Sequence, residues 1–352
     1  MLYAVPAIAQ DQPVNAAATA SAEWWPAGIV PVDQAGAGRR GYVLAGDGTD
    51  VAAPGTVDIS VHVVAANNFY REQNDSFFIS QRHETHTAAV SVRRGFTGGR
   101  ISRWEIGGQI QLTETDGGFM NGFIARTEDF LGWMSGQQSA VNPLRRSAAL
   151  RPPLGTTITR NGTPLYQEGT GSGLGDISIS AKALLRDGEP WSRRTRVAAR
   201  VGINIAGTSL FTAGNFVGVG ISVDKKVLSK LALHGDVRAH MFLDRMSAWN
   251  LPLTRGSLAF SAGPELQLTR NSSASLQMDG GATPYQHTGA TAFDKGYGDV
   301  TFGFNHQFRS DRRPILAQVY LRENMNLPFR VRWNTDPDLS LGVKVTIRGA
   351  SR

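Results

Sequence analysis

The chain has 352 residues, 41% of them hydrophobic, with 40 glycines, no cysteine, and 36 Lys and Arg against 29 Asp and Glu. No stretch reaches the about 20 consecutive apolar residues of a spanning helix, which excludes a helical membrane protein but not a membrane β-barrel, whose strands show only half their residues to lipid. The net charge of +7 raises nucleic-acid binding, but the basic residues gather at Arg193-Arg194, Lys225-Lys226 with Lys230, and Arg309 with Arg312-Arg313, in turns rather than beside stacking aromatics, so an anionic membrane surface is the expected partner and no nucleic acid is.

Residues 1–9 read as the remnant of a secretory signal peptide. Ala7-Ile8-Ala9 has the small-x-small form of a cleavage site, while the basic and apolar regions that precede one are missing, which implies an upstream start or a trimmed chain. Residues 10–55, alanine-rich from Ala16 to Ala22 and Gly/Asp-rich from Gly36 to Gly55, read as a flexible periplasmic lead or a small plug. Trp24-Trp25-Pro26 is a candidate anchor at the inner interface.

From Val57 to Ile347 the chain alternates apolar and polar residues in twelve stretches of roughly ten residues, the period of strands with one wet and one apolar face. Ile177, Ile179, Ala181 and Ala183 show it, as do Val217, Val219, Ile221 and Val223, and Leu339, Leu341, Val343, Val345 and Ile347. The connections sort by parity. Those after even-numbered strands are short and polar (Gly95–Ser102, Asp187–Ser192, Val227–Ser229, Thr269–Ser273, Arg309–Pro314), whereas Asn67–Asp75, Glu114–Gly173, Ala206–Gly214, Asp244–Gly256, Gly281–Tyr297 and Arg322–Pro337 are mostly longer. Short periplasmic turns and long external loops characterise bacterial outer-membrane barrels. Residues 56–348 are therefore expected to form an all-β, antiparallel, up-and-down transmembrane β-barrel of about 12 strands. Trp104, Trp191 and Phe308 near one end and Phe69, Tyr70 and Phe216 near the other fit aromatic girdles. The upper half of the second strand, Arg82, Glu84 and His86, carries charge on the apolar parity, and is expected to rise above the membrane or to carry a bulge.

The third external loop, Glu114 to Gly173, is too long to be a simple connection. Phe119, Met120, Phe123, Ile124, Leu131 and Met134 recur at spacings near three and four, which predicts a short amphipathic helix after Gly117-Gly118. We expect it to enter the barrel mouth as a constriction, with Arg126 facing the lumen. Val141 to Pro153, with Arg145, Arg146 and Arg151, reads as a solvated basic stretch.

The parity opposite the apolar one lines the lumen. Its selectivity candidates are Glu105, Lys182, Arg196, Arg200, His234, Asp236, Arg238, His240, Glu265 and Asp279, and mixed charges on one inner face imply water or a dense ion-pair network. A catalytic site is not expected: none of the seven histidines sits beside a serine on the lipid-facing parity at the outer leaflet, where a lipid hydrolase needs one. His83, Glu84 and His86 point to opposite faces of one strand, so no metal site is expected, nor any cofactor.

Ala53-Pro54-Gly55-Thr56 leading into VDISVHVVAANNFY, GGFMNGFIARTEDFLGW from Gly117 to Trp133, GLGDISISAKALL from Gly173 to Leu185, Gly281 to Tyr285, and LRENM from Leu321 to Met325 resemble a bacterial family catalogued as domain of unknown function thirty-one eighty-seven. The resemblance runs from about Val51 to the C-terminus and implies a membrane β-barrel in the outer membrane, with no activity and no catalytic residue to carry over. The sequence thus points to a channel or transport protein for small polar or anionic solutes, the solute itself unknown. A barrel enzyme acting on lipid or lipopolysaccharide and a closed structural or surface-interaction barrel are the alternatives. Expected partners are outer-membrane lipids, lipopolysaccharide and the barrel-insertion machinery, although Ile347 to Arg352 lacks the terminal aromatic residue that this machinery reads in many barrels.

Overall fold

The computed structural model describes residues 26–30, 45–99, 101–120, 122–124, 126, 154–187, 195–207, 214–247, 249–286, 288–289, 294, 296–308, 313–324 and 339–349. The signal-peptide reading of residues 1–9 lies outside them, as do Leu131 and the basic stretch.

The strands, in order, are β1 (Val57–Gln73), β2 (Phe77–Gly98), β3 (Ile101–Asp116), β4 (Gly155–Arg160), β5 (Thr163–Glu168), β6 (Gly171–Arg186), β7 (Thr195–Ile205), β8 (Phe216–Leu228), β9 (Leu231–Phe242), β10 (Gly256–Gln267), β11 (Ser272–Gly281), β12 (Tyr297–Phe308), β13 (Ile315–Asn324) and β14 (Leu339–Ile347). β1 pairs antiparallel with β2 on one side and with β14 on the other, so the sheet closes on itself. β4 and β5 form a separate hairpin hung on the upper end of β2, from Phe77 to Arg82. The other strands make a closed, 12-stranded antiparallel barrel.

Burial runs opposite to that of a soluble protein. Val63, Val219, Ile221, Val237 and Phe302 are each more than half exposed, while Lys182, Arg196, Arg238 and Arg322 are almost fully buried. A soluble β-sandwich would reverse both sets, because exposed apolar area on this scale is stable only against lipid. The wall therefore presents its apolar parity to a membrane, and the architecture is that of an outer-membrane barrel. Ile221→Lys places a charge in this band, and is expected to lower stability by about 2–4 kcal/mol if it lies at mid-membrane. Reversible denaturant unfolding from lipid vesicles checks this, and an unchanged midpoint would remove Ile221 from the lipid face.

Turn parity holds at the short end, where β8 passes to β9 between Leu228 and Leu231 and β10 to β11 between Gln267 and Ser272. The first external link departs from expectation: instead of a loop over Asn67–Asp75, strand pairing continues to Gln73↔Phe78. The Asn74 side chain makes the tight reversal, its Oδ1 accepting from the backbone N–H of Ser76 at 3.0 Å and of Phe77 at 2.8 Å, an Asx turn. β2 is 22 residues long, about twice the span needed to cross a bilayer, and its upper half rises above the wall without a bulge.

The long third loop differs most from its sequence reading. Met120, Gly122 to Ile124 and Arg126 are helical as predicted, but the start of the helix sits on the outer face of the wall. Glu84, on the same parity as the exposed Val90 and Val92, accepts from the backbone N–H of Phe119 at 2.9 Å and from that of Met120. Gly118, at φ +53°, packs against the Glu84 carboxylate where any Cβ would collide with it, so glycine is required there. Met120 and Ile124 are buried while Phe119, Phe123 and Arg126 are exposed, which corrects the expectation that Arg126 faces the lumen and that this helix starts inside the mouth. Of the apolar stripe, Met120 and Ile124 find burial.

Candidate functional site in the barrel lumen

The inner face of the wall is lined by the predicted polar parity. Glu105, Lys182, Arg196, His234, Asp236, Arg238, His240, Glu265 and Asp279 are all buried, and Arg200 joins them through its ion pair. They gather into two groups. In the first, Arg93 lies 3.1 Å from Asp58 and 3.4 Å from Glu105, and Lys182 lies 3.5 Å from Glu105. Nearby, Arg103 and Arg196 approach Asp187 at 4.0 Å and 3.6 Å. In the second, His234 bridges Asp224 at 2.8 Å and Glu265 at 3.0 Å. Arg238 pairs with Asp236 at 3.0 Å and donates to Ser261, which donates in turn to Asp279 at 2.5 Å. Gln277 and Thr301 also donate to Asp279, and Arg322 pairs with Asp299. The ring of His240 lies edge-on to Phe216 at 5.6 Å.

Neither group closes by itself. Two short segments of the N-terminal lead, residues 26–30 and 45–56, pass through the lumen and complete both. Backbone N–H groups of Ala27 and Gly28 donate to the two oxygens of Glu265 at 3.0 and 3.1 Å, and Val30 exchanges two hydrogen bonds with the Gln277 amide. Thr49 donates to Asp224 from its N–H at 2.9 Å and from its hydroxyl at 2.5 Å. Ala52 N–H donates to Glu105 at 2.6 Å, and the carbonyls of Ala45 and Val51 accept from Arg200 and Arg103. Asp47 lies 2.7 Å from Lys182 and 3.6 Å from Arg200, and Asp50 lies 3.1 Å from Arg348 and 3.7 Å from Arg93. Wall side chains thus satisfy a backbone that, among the described residues, forms no helix or strand, as burial requires.

The electrostatics of the lead follow from these neighbours. Burial disfavours an ionised Asp50, but Arg348 and Arg93 outweigh it and bring the carboxyl down to about 2. Asp47 is also pushed up by burial, yet Lys182, Arg200 and Arg93 hold it well below the usual carboxylate range. A lowered carboxyl stabilises the folded arrangement above its unfolded value, 3.8 for Asp50, and that contribution is lost as pH falls toward the folded value. Protease sensitivity of the lead in detergent-solubilised protein is therefore expected to stay flat from neutral pH to about 5 and to rise only below about 4. A rise between pH 7 and 6 would assign the contact to other groups.

The external end of the barrel is apolar rather than charged. Phe77, Ile79, Ile158, Tyr166, Phe216, Phe242, Trp249, Leu251, Leu253 and Tyr285 form one buried apolar cluster. Phe216 and Phe242 lie on the inward parity of β8 and β9, so the expected girdle role of Phe216 does not hold. The cluster draws on the β4–β5 hairpin, the β9–β10 link and Tyr285 of the β11–β12 link. Asn250 ties two of these, its side chain donating to the Leu165 carbonyl at 3.1 Å.

Asp47, Thr49, Asp50, Asp58, Arg93, Asp224, Asp299, Arg322 and Arg348 escaped the sequence reading of the lumen. Arg93 and Asp224 belong to the inward parity of their strands and were legible; the lead residues have no periodicity to mark them. The hairpin was legible too. Asn161-Gly162 between Thr159-Arg160 and Thr163 is a strong two-residue hairpin signal, and both residues have positive φ, 50° and 76°.

A serine–histidine pair on the outer wall bears on the enzyme alternative. Ser272 Oγ lies 2.8 Å from His306 Nδ1, on the lipid-facing parity. It sits at the short-turn end, and among the described residues no carboxylate or amide orients His306, so the pair lacks the third member that activates a nucleophile.

No protein-family model matches the chain, and no curated protein resembles it in sequence. Solved structures do resemble it in fold. An outer membrane channel from Pseudomonas putida F1 superposes with a TM-score of 0.51 at 11% identity, over 86% of this chain and 99% of that one. The transport unit of the autotransporter AIDA-I from Escherichia coli gives 0.44 at 7% identity over 84% and 90%, and the NanC porin 0.40 at 6% over 83% and 100%, both too distant to carry an argument. By its own pairing and by the first of these likenesses, the chain is a closed 12-stranded antiparallel β-barrel that shares its fold with an outer membrane channel.

Proposed function

We propose that this protein is a gated outer-membrane channel for small polar or anionic solutes, closed at rest by the lead segments 26–30 and 45–56 inside the lumen. The observation that carries the reading is the way the lead is held. Among the described residues, its apolar packing is confined to two small clusters, Val30 with Val64 and Tyr320 and Val51 with Leu184 and Ala198; beside them stand the hydrogen bonds and ion pairs described above, each worth only about 0.5–3 kcal/mol net. Water and solute ions replace such contacts far more readily than a packed apolar core. A plug held this way is suited to leaving and returning.

Charge gives the preference for anions. With the lead in place, Asp47 and Asp50 face Lys182, Arg200, Arg93 and Arg348. With it displaced, those four cations face Asp58 and Glu105 alone among the partners named above, and a lining with excess positive charge favours anions.

Planar-bilayer recording of the full-length protein tests the proposal. Long closed intervals broken by brief openings are expected. Steady conduction with the lead intact would overturn the lead as the gate. Silence after its removal would favour the second reading, a closed structural barrel, which the apolar cluster at the external end supports.

A further inference from the structure

Strand pairing builds a second polar cluster, on the outside of the wall. Within β2, Glu84 and His86 share the outward parity, and β3 brings Asp116 directly opposite Glu84 and Glu114 directly opposite His86. His86 Nε2 lies 3.2 Å from Asp116 Oδ1 and 4.0 Å from Glu84 Oε2. One ligand atom from each of Glu84, His86 and Asp116 falls within 4.8 Å of the others, so that a small side-chain adjustment brings all three to the about 2.0–2.2 Å at which such donors bind one metal ion. A single strand offers only two of these donors on one face, which is why His83, Glu84 and His86 alone suggested no site.

Two independent features point to a ligand. The first is preorganisation. The Glu84 side chain is fully buried, its carboxylate fixed by the N–H groups of Phe119 and Met120, and metal-ligating carboxylates are characteristically held by such outer hydrogen bonds. His86 and Asp116 are 30% and 47% exposed, so the fixed carboxylate lies at the back and an ion has a way in. The second is position. A groove of about 450 Å³ adjoins the cluster, with Val63, Ala88, Leu112 and Leu174 on its membrane side and His86, Glu114 and Ser172 on its outer side. The cluster thus stands where the apolar band ends, at the level of the headgroups.

We propose that Glu84, His86 and Asp116 bind a divalent transition-metal ion of the zinc class on the outer wall of the barrel. One imidazole nitrogen and two carboxylates form a borderline donor set that suits zinc better than the all-oxygen cages of calcium. Three protein ligands leave a coordination position open, and one of them, His86, lines the groove.

The test is zinc binding by untagged, full-length protein in detergent, stripped with a chelator and titrated with Zn²⁺ alone against a chromophoric competitor. One equivalent is expected to bind. His86→Ala with Asp116→Asn, which leaves the Glu84 contact to the loop intact, is expected to weaken binding by more than the about 10–100-fold that loss of a supporting partner costs. His306→Ala is expected to bind as the parent does. Gel mobility with and without heating confirms that each variant is folded. Absence of competitor displacement by the parent protein would overturn the site, and so would equal affinity of the parent and the folded double variant.

Discussion

Removing residues 26–54 is expected to convert a mostly closed protein into one with sustained conductance that favours anions. The deletion takes away every lead contact to Glu265, Gln277, Asp224, Glu105, Lys182 and Arg200 while leaving the pairing of β1 with β2 and β14 untouched. The wall closes without the lead, so the barrel should still insert and still migrate faster unheated than boiled. Lys182, Arg200, Arg93 and Arg348 lose two carboxylates, and their charge becomes available to passing ions. Reversal potentials in a salt gradient measure the result. Adding Lys182→Ala and Arg200→Ala to the deletion should then shift selectivity toward cations. Selectivity that stays anionic after both substitutions would place the filter elsewhere, and an equal conductance with and without the lead would show that the lead does not obstruct the pore.

The second large effect is expected at Glu265. This carboxylate is fully buried and accepts from Ala27 and Gly28 of the lead, from Ser273 and from Asn305 while pairing with His234. Glu265→Ala strips all of these at once, leaving buried donors without an acceptor and His234 with Asp224 alone. Breaking a buried charge pair from one side costs about 3–5 kcal/mol. Glu265→Gln keeps the shape and one acceptor oxygen, so its loss should be smaller. Two measurements separate structure from gating: the denaturant midpoint of the barrel, and the rate at which added protease cuts within residues 26–30. The alanine variant is expected to lower the first and raise the second. If both match the parent protein, Glu265 does not hold the lead.

Fold class, the number of strands in the wall and the face taken by most strand residues were legible in the sequence, Phe216, which turns inward, being an exception. Those follow from a period of two, which is a property of each strand alone and survives without knowledge of its neighbours. That is why Lys182, His234, Asp236, Arg238, Glu265 and Asp279 were identified as inward-facing before any pairing was known. Tertiary structure alone decided which of them meet. The bridge from Asp224 through His234 to Glu265 depends on the register of β8, β9 and β10, and Glu84, His86 and Asp116 converge because β2 and β3 pair at Glu84↔Asp116. The lead was the least legible part, since Asp47, Thr49 and Asp50 lie in a glycine-rich stretch with too little apolar surface to order itself. It takes its conformation from a closed wall, whose buried charges supply the hydrogen bonds that its own backbone cannot make.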